Sequence, residues 1–137
     1  MSSAEDERAI IALVNRYATA LDSADWALLR TCWADEVDVD YDTGEIWTSG
    51  DGLNAFMVQA HVGLTTMHMN GNFVMDDIAP GQAKGRTYFK AIVKRPDGSY
   101  HLRADGWYDD EFTRIASEWK ITRRKVRMIE LQIEGQR

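Results

Sequence analysis

The sequence has little of several residue types and segments that define common protein classes. Cys32 is the only cysteine, so no internal disulfide can form, and a reducing compartment fits this usage. No apolar run approaches the roughly 18 residues that a membrane-spanning helix needs. The first residues, MSSAEDERAI, are acidic where a secretory signal would be basic and then apolar. We therefore expect a cytoplasmic protein that does not bind membranes.

Sequence motifs for metals and cofactors are also missing. The chain has no Gly-rich phosphate loop, no HExxH motif and no cysteine cluster. Its three histidines, His61, His68 and His101, fall on three different predicted elements, and their spacing is not that of a metal site. We expect neither a metal nor a cofactor.

The charge balance argues against a nucleic-acid partner. The chain carries 22 acidic and 16 basic residues, which gives a formal charge of −6 and a pI of about 5.0. Phosphate binding needs a concentrated positive field, and the one basic cluster, KITRRKVR at 120–127, is split over both faces of a predicted strand. We interpret this cluster as a solvated or subunit-contact surface.

Hydrophobic periodicity predicts helices first and strands afterwards. The 137 residues, 45% of them hydrophobic, fit one domain over 1–137. Apolar residues at three- and four-residue spacing predict a helix over 4–21, followed by helices over 24–33 and 51–62. Between the last two, VDVDY and the residues after Gly44 predict two short strands. Period two then predicts long strands over 65–76, 83–95, 99–112 and 117–131. This order indicates an α+β architecture with an antiparallel sheet.

Asp22, in the stretch ALDSADW, has two interpretations. An aspartate before a short helix is a favoured N-cap, and its carboxylate would accept from the amide near Asp25. However, Asp22 lies about 40° round the first helix from Ala18, at the border of the buried face. It also ends that helix, where the macrodipole disfavours a negative charge. A cap and a catalytic carboxylate both remain open.

His68 lies in TTMHMNGNFVM, which we predict as one strand with a bulge at Gly71. The methionines of this strand face one way, while Thr66, His68 and Asn70 face the other. By periodicity alone, this polar face is either an exposed strand face or the wall of a polar pocket.

Three stretches resemble the nuclear transport factor 2-like, or SnoaL-like, superfamily. ALDSADWALLRTCWADEVDVDY is similar to the opening of scytalone dehydratase in its DS-x-DW core, its Arg-Thr-Cys step and its closing Asp-Tyr. The same stretch resembles the start of hexachlorocyclohexane dehydrochlorinase. LTTMHMNGN matches the strand that carries the catalytic histidine in both enzymes, and DGWYDDEFTRIASEWKITRRK resembles the closing hairpin of the family.

The resemblance implies a cone-shaped α+β barrel, in which a curved antiparallel sheet wraps the N-terminal helices and leaves an open-ended pocket. The His68 side of its strand would face this pocket. Family members often assemble through the outer face of the sheet, so the resemblance implies a homodimer or homotrimer with Met67 and Met69 on that face.

The resemblance also assigns roles in the site. Asp22 and His68 match the aspartate and histidine shared by the dehydratase and the dehydrochlorinase, and Tyr41 matches a tyrosine that polarises the substrate. Leu21 and Val93 stand where the dehydratase has a second tyrosine and a second histidine. Scytalone itself is therefore not the expected substrate.

Five further residues complete the predicted site. Tyr108 is a second hydrogen-bond donor, and the candidates for substrate binding are Tyr17, Trp26, Phe89 and Leu102. Because the predicted inward-facing strand residues are mostly apolar, we expect a small, largely apolar and cyclic substrate.

Three functions fit this site. The first is a cofactor-independent lyase, a dehydratase or dehydrohalogenase-like enzyme that uses Asp22 and His68 for β-elimination. The second is a polyketide cyclase or a steroid-type isomerase built on the same pocket. The third is a non-catalytic protein, either a small-ligand-binding domain or a small subunit of the dioxygenase type.

Overall fold

The computed structural model describes residues 3–134, with the side chains of all but 77 and 78. Within residues 3–134, three helices and six strands follow one another. Their bounds are α1 Ala4–Asp22, α2 Trp26–Arg30, β1 Trp33–Asp40, β2 Ile46–Ser49, α3 Gly50–Ala60, β3 Thr65–Ala79, β4 Gln82–Lys94, β5 Tyr100–Ile115 and β6 Glu118–Ile133.

The six strands form one curved, open sheet in the order β2-β1-β6-β5-β4-β3. Strands β3 to β6 form an antiparallel meander, and β2 is antiparallel to β1. Only the pair of β1 and β6 is parallel, so the sheet is mixed where the sequence predicted an antiparallel one. The predicted cone-like α+β fold is confirmed, and its sheet curves round the helices without closing.

Helix α1 begins at a capping box. The Asp6 amide donates to the Ser3 hydroxyl at 3.0 Å, and the Asp6 carboxylate accepts from the Ser3 amide. The apolar face of the helix then packs against the inner face of the sheet and joins the core. Its buried residues are Ile10, Leu13, Val14, Tyr17, Ala18, Ala20 and Leu21.

The end of α1 determines where Asp22 lies. Ala24 has the left-handed conformation at φ 52°, and the Asp25 amide donates to the Ala20 carbonyl at 2.9 Å, as in a Schellman ending. Asp25, rather than Asp22 or Ser23, caps α2 by accepting from the Leu28 amide at 3.1 Å. The carboxylate of Asp22 is therefore available for another contact.

Helix α2 is shorter than predicted, because Trp33 already belongs to β1. Strand β3 is continuous through its Asn-Gly pair, and its register against β4 shifts between Asn70 and Phe73. The predicted bulge at Gly71 is confirmed. Within residues 3–134, no helix combines the length and apolar character that crossing a membrane requires.

Candidate active site

Asp22 and His68 meet where the end of α1 faces the inner side of β3. His68 donates to Asp22 twice, from Nδ1 to Oδ1 at 2.8 Å and from its backbone amide to Oδ2 at 2.8 Å. The Thr66 hydroxyl, two residues earlier on the same face, donates to Oδ1 at 2.8 Å. Three donors from one strand segment thus hold both oxygens of the carboxylate.

The surroundings of Asp22 favour its ionised form. Burial acts to raise the pKa of Asp22, but the hydrogen bonds from the His68 side chain, the His68 amide and Thr66 outweigh it, so the pKa lies below its usual value. An ionised carboxylate only accepts hydrogen bonds. Nδ1 of His68 therefore carries a proton, and Nε2 is the nitrogen that is free to meet a ligand.

His68 lines a partly open cavity of about 240 Å³. This volume is just below the roughly 300–1,000 Å³ that is common for ligand sites, so the cavity suits a small molecule. The His68 side chain is 10% exposed and that of Asp22 26%, which places the imidazole deeper than the carboxylate. Most of the wall is apolar and includes Leu21, Phe56, Leu64, Phe89, Ala91, Val93 and Leu102.

Three tyrosines supply hydroxyl groups at this cavity. The hydroxyls of Tyr17 and Tyr41 lie 2.6 Å apart, and the Tyr108 ring stacks on Phe89 at 4.3 Å. The Tyr17 ring also meets the His68 ring edge-on, with centroids 6.4 Å apart. Burial raises the pKa of all three phenols, so each keeps its proton and can donate a hydrogen bond.

A buried ion pair packs against the rings of two of these tyrosines. Arg124 donates to both carboxylate oxygens of Asp110, at 2.7 and 2.8 Å, and both side chains have zero exposure. The Arg124 guanidinium lies 4.0 Å from the ring centre of Tyr108 and 4.3 Å from that of Tyr17. The interpretation of the 120–127 cluster as a surface is therefore wrong for Arg124.

The charges of this pair depend on each other. Burial raises the pKa of the Asp110 carboxyl, and Arg124 opposes that rise. Burial likewise acts to lower the pKa of Arg124, but attraction to Asp110 outweighs it and the pKa is raised. The pair fixes a cation directly beneath the aromatic floor of the cavity.

Most of the predicted site residues converge on this cavity. Those that line it are Tyr17, Tyr41, His68, Phe89, Leu102 and Tyr108. Asp22 reaches it through His68. Trp26 differs from its prediction, since it is not among the lining residues and its ring lies 5.7 Å from that of His61 instead. Trp26, the first residue of α2, therefore lies beside the end of α3 and outside the cavity lining.

Two more histidines line the cavity, and sequence reasoning gave neither a role. His61 directly follows α3 and His101 is the second residue of β5, so their common location depends on how the helix packs against the sheet. Hydrophobic periodicity does not predict how a helix packs against a sheet, so it could not indicate that these two histidines share one cavity. Among the described residues, no group of three His, Cys, Asp or Glu side chains forms a possible metal site.

Comparison with known families identifies the fold. A family model described as the SnoaL-like domain matches residues 2–125. The chain belongs to the SnoaL-like domain family. No functionally curated protein matches the chain.

Solved structures similar to this SnoaL-like chain share nearly its whole length. A candidate scytalone dehydratase from Novosphingobium aromaticivorans has 22% identity and a TM-score of 0.87, over 96% of this chain and 89% of that one. A candidate aromatic ring hydroxylase from the same organism has 22% identity and a TM-score of 0.88, over 97% and 96%. A hexachlorocyclohexane dehydrochlorinase has 13% identity and a TM-score of 0.84, over 96% and 90%. At these identities the likeness establishes the fold.

Proposed function

We propose that the protein is a cofactor-independent lyase that catalyses β-elimination on a small, largely apolar cyclic substrate. The observation that carries this proposal is the 2.8 Å contact between Asp22 and Nδ1 of His68 at an apolar cavity. It leaves Nε2 of His68 as a base whose orientation and tautomer are fixed.

In the proposed reaction, Nε2 of His68 takes a proton from a carbon next to an electron-withdrawing group such as a carbonyl. The electrons of the broken C–H bond form a carbon–carbon double bond, and the leaving group departs with the electrons of its own bond. A hydroxyl leaving group takes the proton back from the imidazolium and leaves as water. Asp22 stabilises the imidazolium that forms, as the aspartate does in a catalytic triad. Such positioned base catalysis contributes about 10²–10⁴-fold to the rate.

Tyr41 and Tyr108 are the proposed donors to the oxygen on which negative charge grows. In the 2.6 Å contact between Tyr17 and Tyr41, one hydroxyl donates and the other accepts. The accepting hydroxyl keeps its own proton for a ligand, and accepting makes it a stronger donor. The Arg124 cation beneath the rings adds to this effect.

The first experiment tests the base separately from the leaving group. Cyclohexanone is incubated with the protein in D₂O, and exchange of its α-hydrogens is followed by NMR. We expect exchange with the wild type and a loss of about 10²–10⁴-fold in His68→Gln and Asp22→Asn. Asp25→Asn is the matched control, because it removes an aspartate of the same loop that caps α2 instead of contacting His68.

The second experiment uses 3-hydroxycyclohexanone, whose β-elimination releases water and cyclohexenone. A product lighter by one water supports the lyase. A product of unchanged mass would favour a polyketide cyclase or steroid-type isomerase, which could use the same base. Equal exchange rates in the wild type and His68→Gln would contradict the proposed base and favour a non-catalytic ligand-binding or dioxygenase-type small subunit.

We also propose that the protein is a homodimer or homotrimer assembled through the outer face of the sheet. Met67 and Met69 are 50% and 57% exposed there, and Val74 and Tyr88 add to the same exposed face. Large exposed apolar side chains on one face are typical of association surfaces. Sedimentation of the wild type and Met69→Lys tests this, and a wild type that sediments as a monomer would contradict it.

A further inference from the structure

His61 presents a second imidazole to the cavity, at the end of α3. Its Nδ1 lies 2.7 Å from the Met57 carbonyl of the preceding turn. Because a carbonyl oxygen only accepts, Nδ1 carries the proton of the ring. Nε2 then has a free lone pair, and it makes no hydrogen bond to the residues that the structure describes.

The surroundings of His61 keep its ring neutral. Burial lowers its pKa, the bond to the Met57 carbonyl opposes this, and His68 and Asp22 act with opposite signs across the cavity. The His61 ring also contacts the Trp26 ring, with centroids 5.7 Å apart. At neutral pH the His61 ring that lines the cavity is therefore neutral, and its Nε2 is an acceptor rather than part of a cation.

The groups behind the two rings differ in charge. A carboxylate lies behind His68 and stabilises a positive ring, whereas a neutral backbone carbonyl lies behind His61. In the proposed reaction, His68 is accordingly the ring that takes the proton from carbon. His61 is left with a different capability, which is to accept a hydrogen bond from a group that keeps its proton.

We propose that Nε2 of His61 accepts a hydrogen bond from a hydroxyl group of the substrate, and that this hydroxyl is separate from the leaving group. This assignment rests on the proposed function of the site and narrows its substrate class to ring compounds with a free phenol or alcohol. A bound ligand that covers Nε2 without donating to it removes the hydrogen bond this acceptor can make to water, which is costly, so the cavity discriminates against analogues that lack the hydroxyl. His61 is thus a specificity-determining residue.

Two substitutions separate this role from a structural one. Asn at position 61 places an amide N–H where Nδ1 lies, so it can keep the bond to Met57 while the acceptor at the Nε2 position is lost. Gln carries its amide one carbon further out and can place an oxygen near the Nε2 position. His61→Asn is therefore expected to lose hydroxyl recognition, and His61→Gln to retain it.

The test measures binding and needs no turnover. Protein labelled with ¹⁵N-histidine is titrated with phenol and with anisole, which resembles phenol but has no O–H donor. We expect phenol to shift the Nε2 resonance of His61, assigned by its disappearance in His61→Asn, while anisole leaves it unmoved. One hydrogen bond corresponds to about three- to tenfold tighter binding of phenol than of anisole. This preference should vanish in His61→Asn and persist in His61→Gln.

Two results would overturn the assignment: a phenol shift confined to His68, or a phenol preference that is unchanged in His61→Asn. Neither depends on catalysis. Failure of deuterium exchange would instead overturn the lyase and leave hydroxyl binding at His61 in place.

Discussion

Replacing Arg124 with methionine should strongly destabilise the protein at neutral pH. The substitution removes the partner of Asp110, a carboxylate with zero side-chain exposure that makes its two side-chain contacts to Arg124. Breaking a buried pair in this way costs about 3–5 kcal/mol, because an uncompensated charge stays behind. For a chain of 137 residues this corresponds to a fall in Tm of roughly 10–17 °C.

The pH dependence of this loss follows from burial. The pKa of Asp110 is already raised in the folded protein, and without Arg124 nothing opposes that rise. A carboxyl whose pKa is higher in the folded than in the unfolded protein destabilises the fold increasingly as the pH rises above its unfolded pKa. The deficit of Arg124→Met should therefore shrink between pH 7 and pH 4.

Urea unfolding at both pH values measures this deficit. Arg123→Met is the matched control, because its neighbouring side chain is 55% exposed and its pair with Asp38 is long at 3.6 Å, so a change of at most about 1 kcal/mol is expected. The double variant Arg124→Met/Asp110→Leu should recover much of the loss. A cost below about 1 kcal/mol for Arg124→Met, or one that grows on acidification, would refute the reasoning.

Three smaller predictions concern the backbone and the carboxylate of the site. Gly106→Ala should cost at least about 3 kcal/mol in chemical denaturation, because a Cβ there overlaps the Arg127 carbonyl oxygen. Gly71→Ala should change stability little, since a Cβ there would lie 3.7 Å from the nearest atom, the Tyr88 carbonyl oxygen. Equal losses of stability in Gly106→Ala and Gly71→Ala would contradict this explanation. Ala24→Gly should raise the free energy of unfolding by about 1 kcal/mol, because glycine adopts the left-handed φ of 52° without strain. A fall in Tm would contradict this prediction. Asp22→Asn should destabilise the protein at pH 7, and this deficit should shrink as the pH is lowered, because the pKa of Asp22 is lowered in the fold and its contribution is lost as the pH falls through the folded pKa. A deficit that does not vary with pH would argue against an ionised Asp22.

Local patterns predicted the elements well. Three- and four-residue spacing located α1 to within one residue of its observed end, and period two located the four long strands. The bulge at Gly71 was also predictable, because an Asn-Gly pair within an alternating strand interrupts its pairing. The parallel pairing of β1 with β6 was not, since strand periodicity reports which face is buried and not which partner lies alongside.

The candidate site was predictable only where a resemblance connected distant residues. Asp22 and His68 lie 46 positions apart, and their periodicity alone allowed a helix cap and an exposed strand face. Arg124 was misread because both faces of its predicted strand were interpreted as a solvated or subunit-contact surface, whereas the face that carries Arg124 is buried. The burial of Arg124 depends on Asp110, which lies opposite it on β5. The pattern within β6 alone does not predict this partner.

The carboxylate of Asp22 is held by donors on one short segment of β3, while most of the cavity wall comes from other elements. Phe56 on α3 and Leu102 on β5 are not paired with the donor segment, so substitutions there can reshape the wall without disturbing those three hydrogen bonds. Substitutions in this chain can therefore be of two independent kinds, those that preserve the contact between Asp22 and His68 and those that change the shape of the cavity. Ligand preference and this contact can be altered separately.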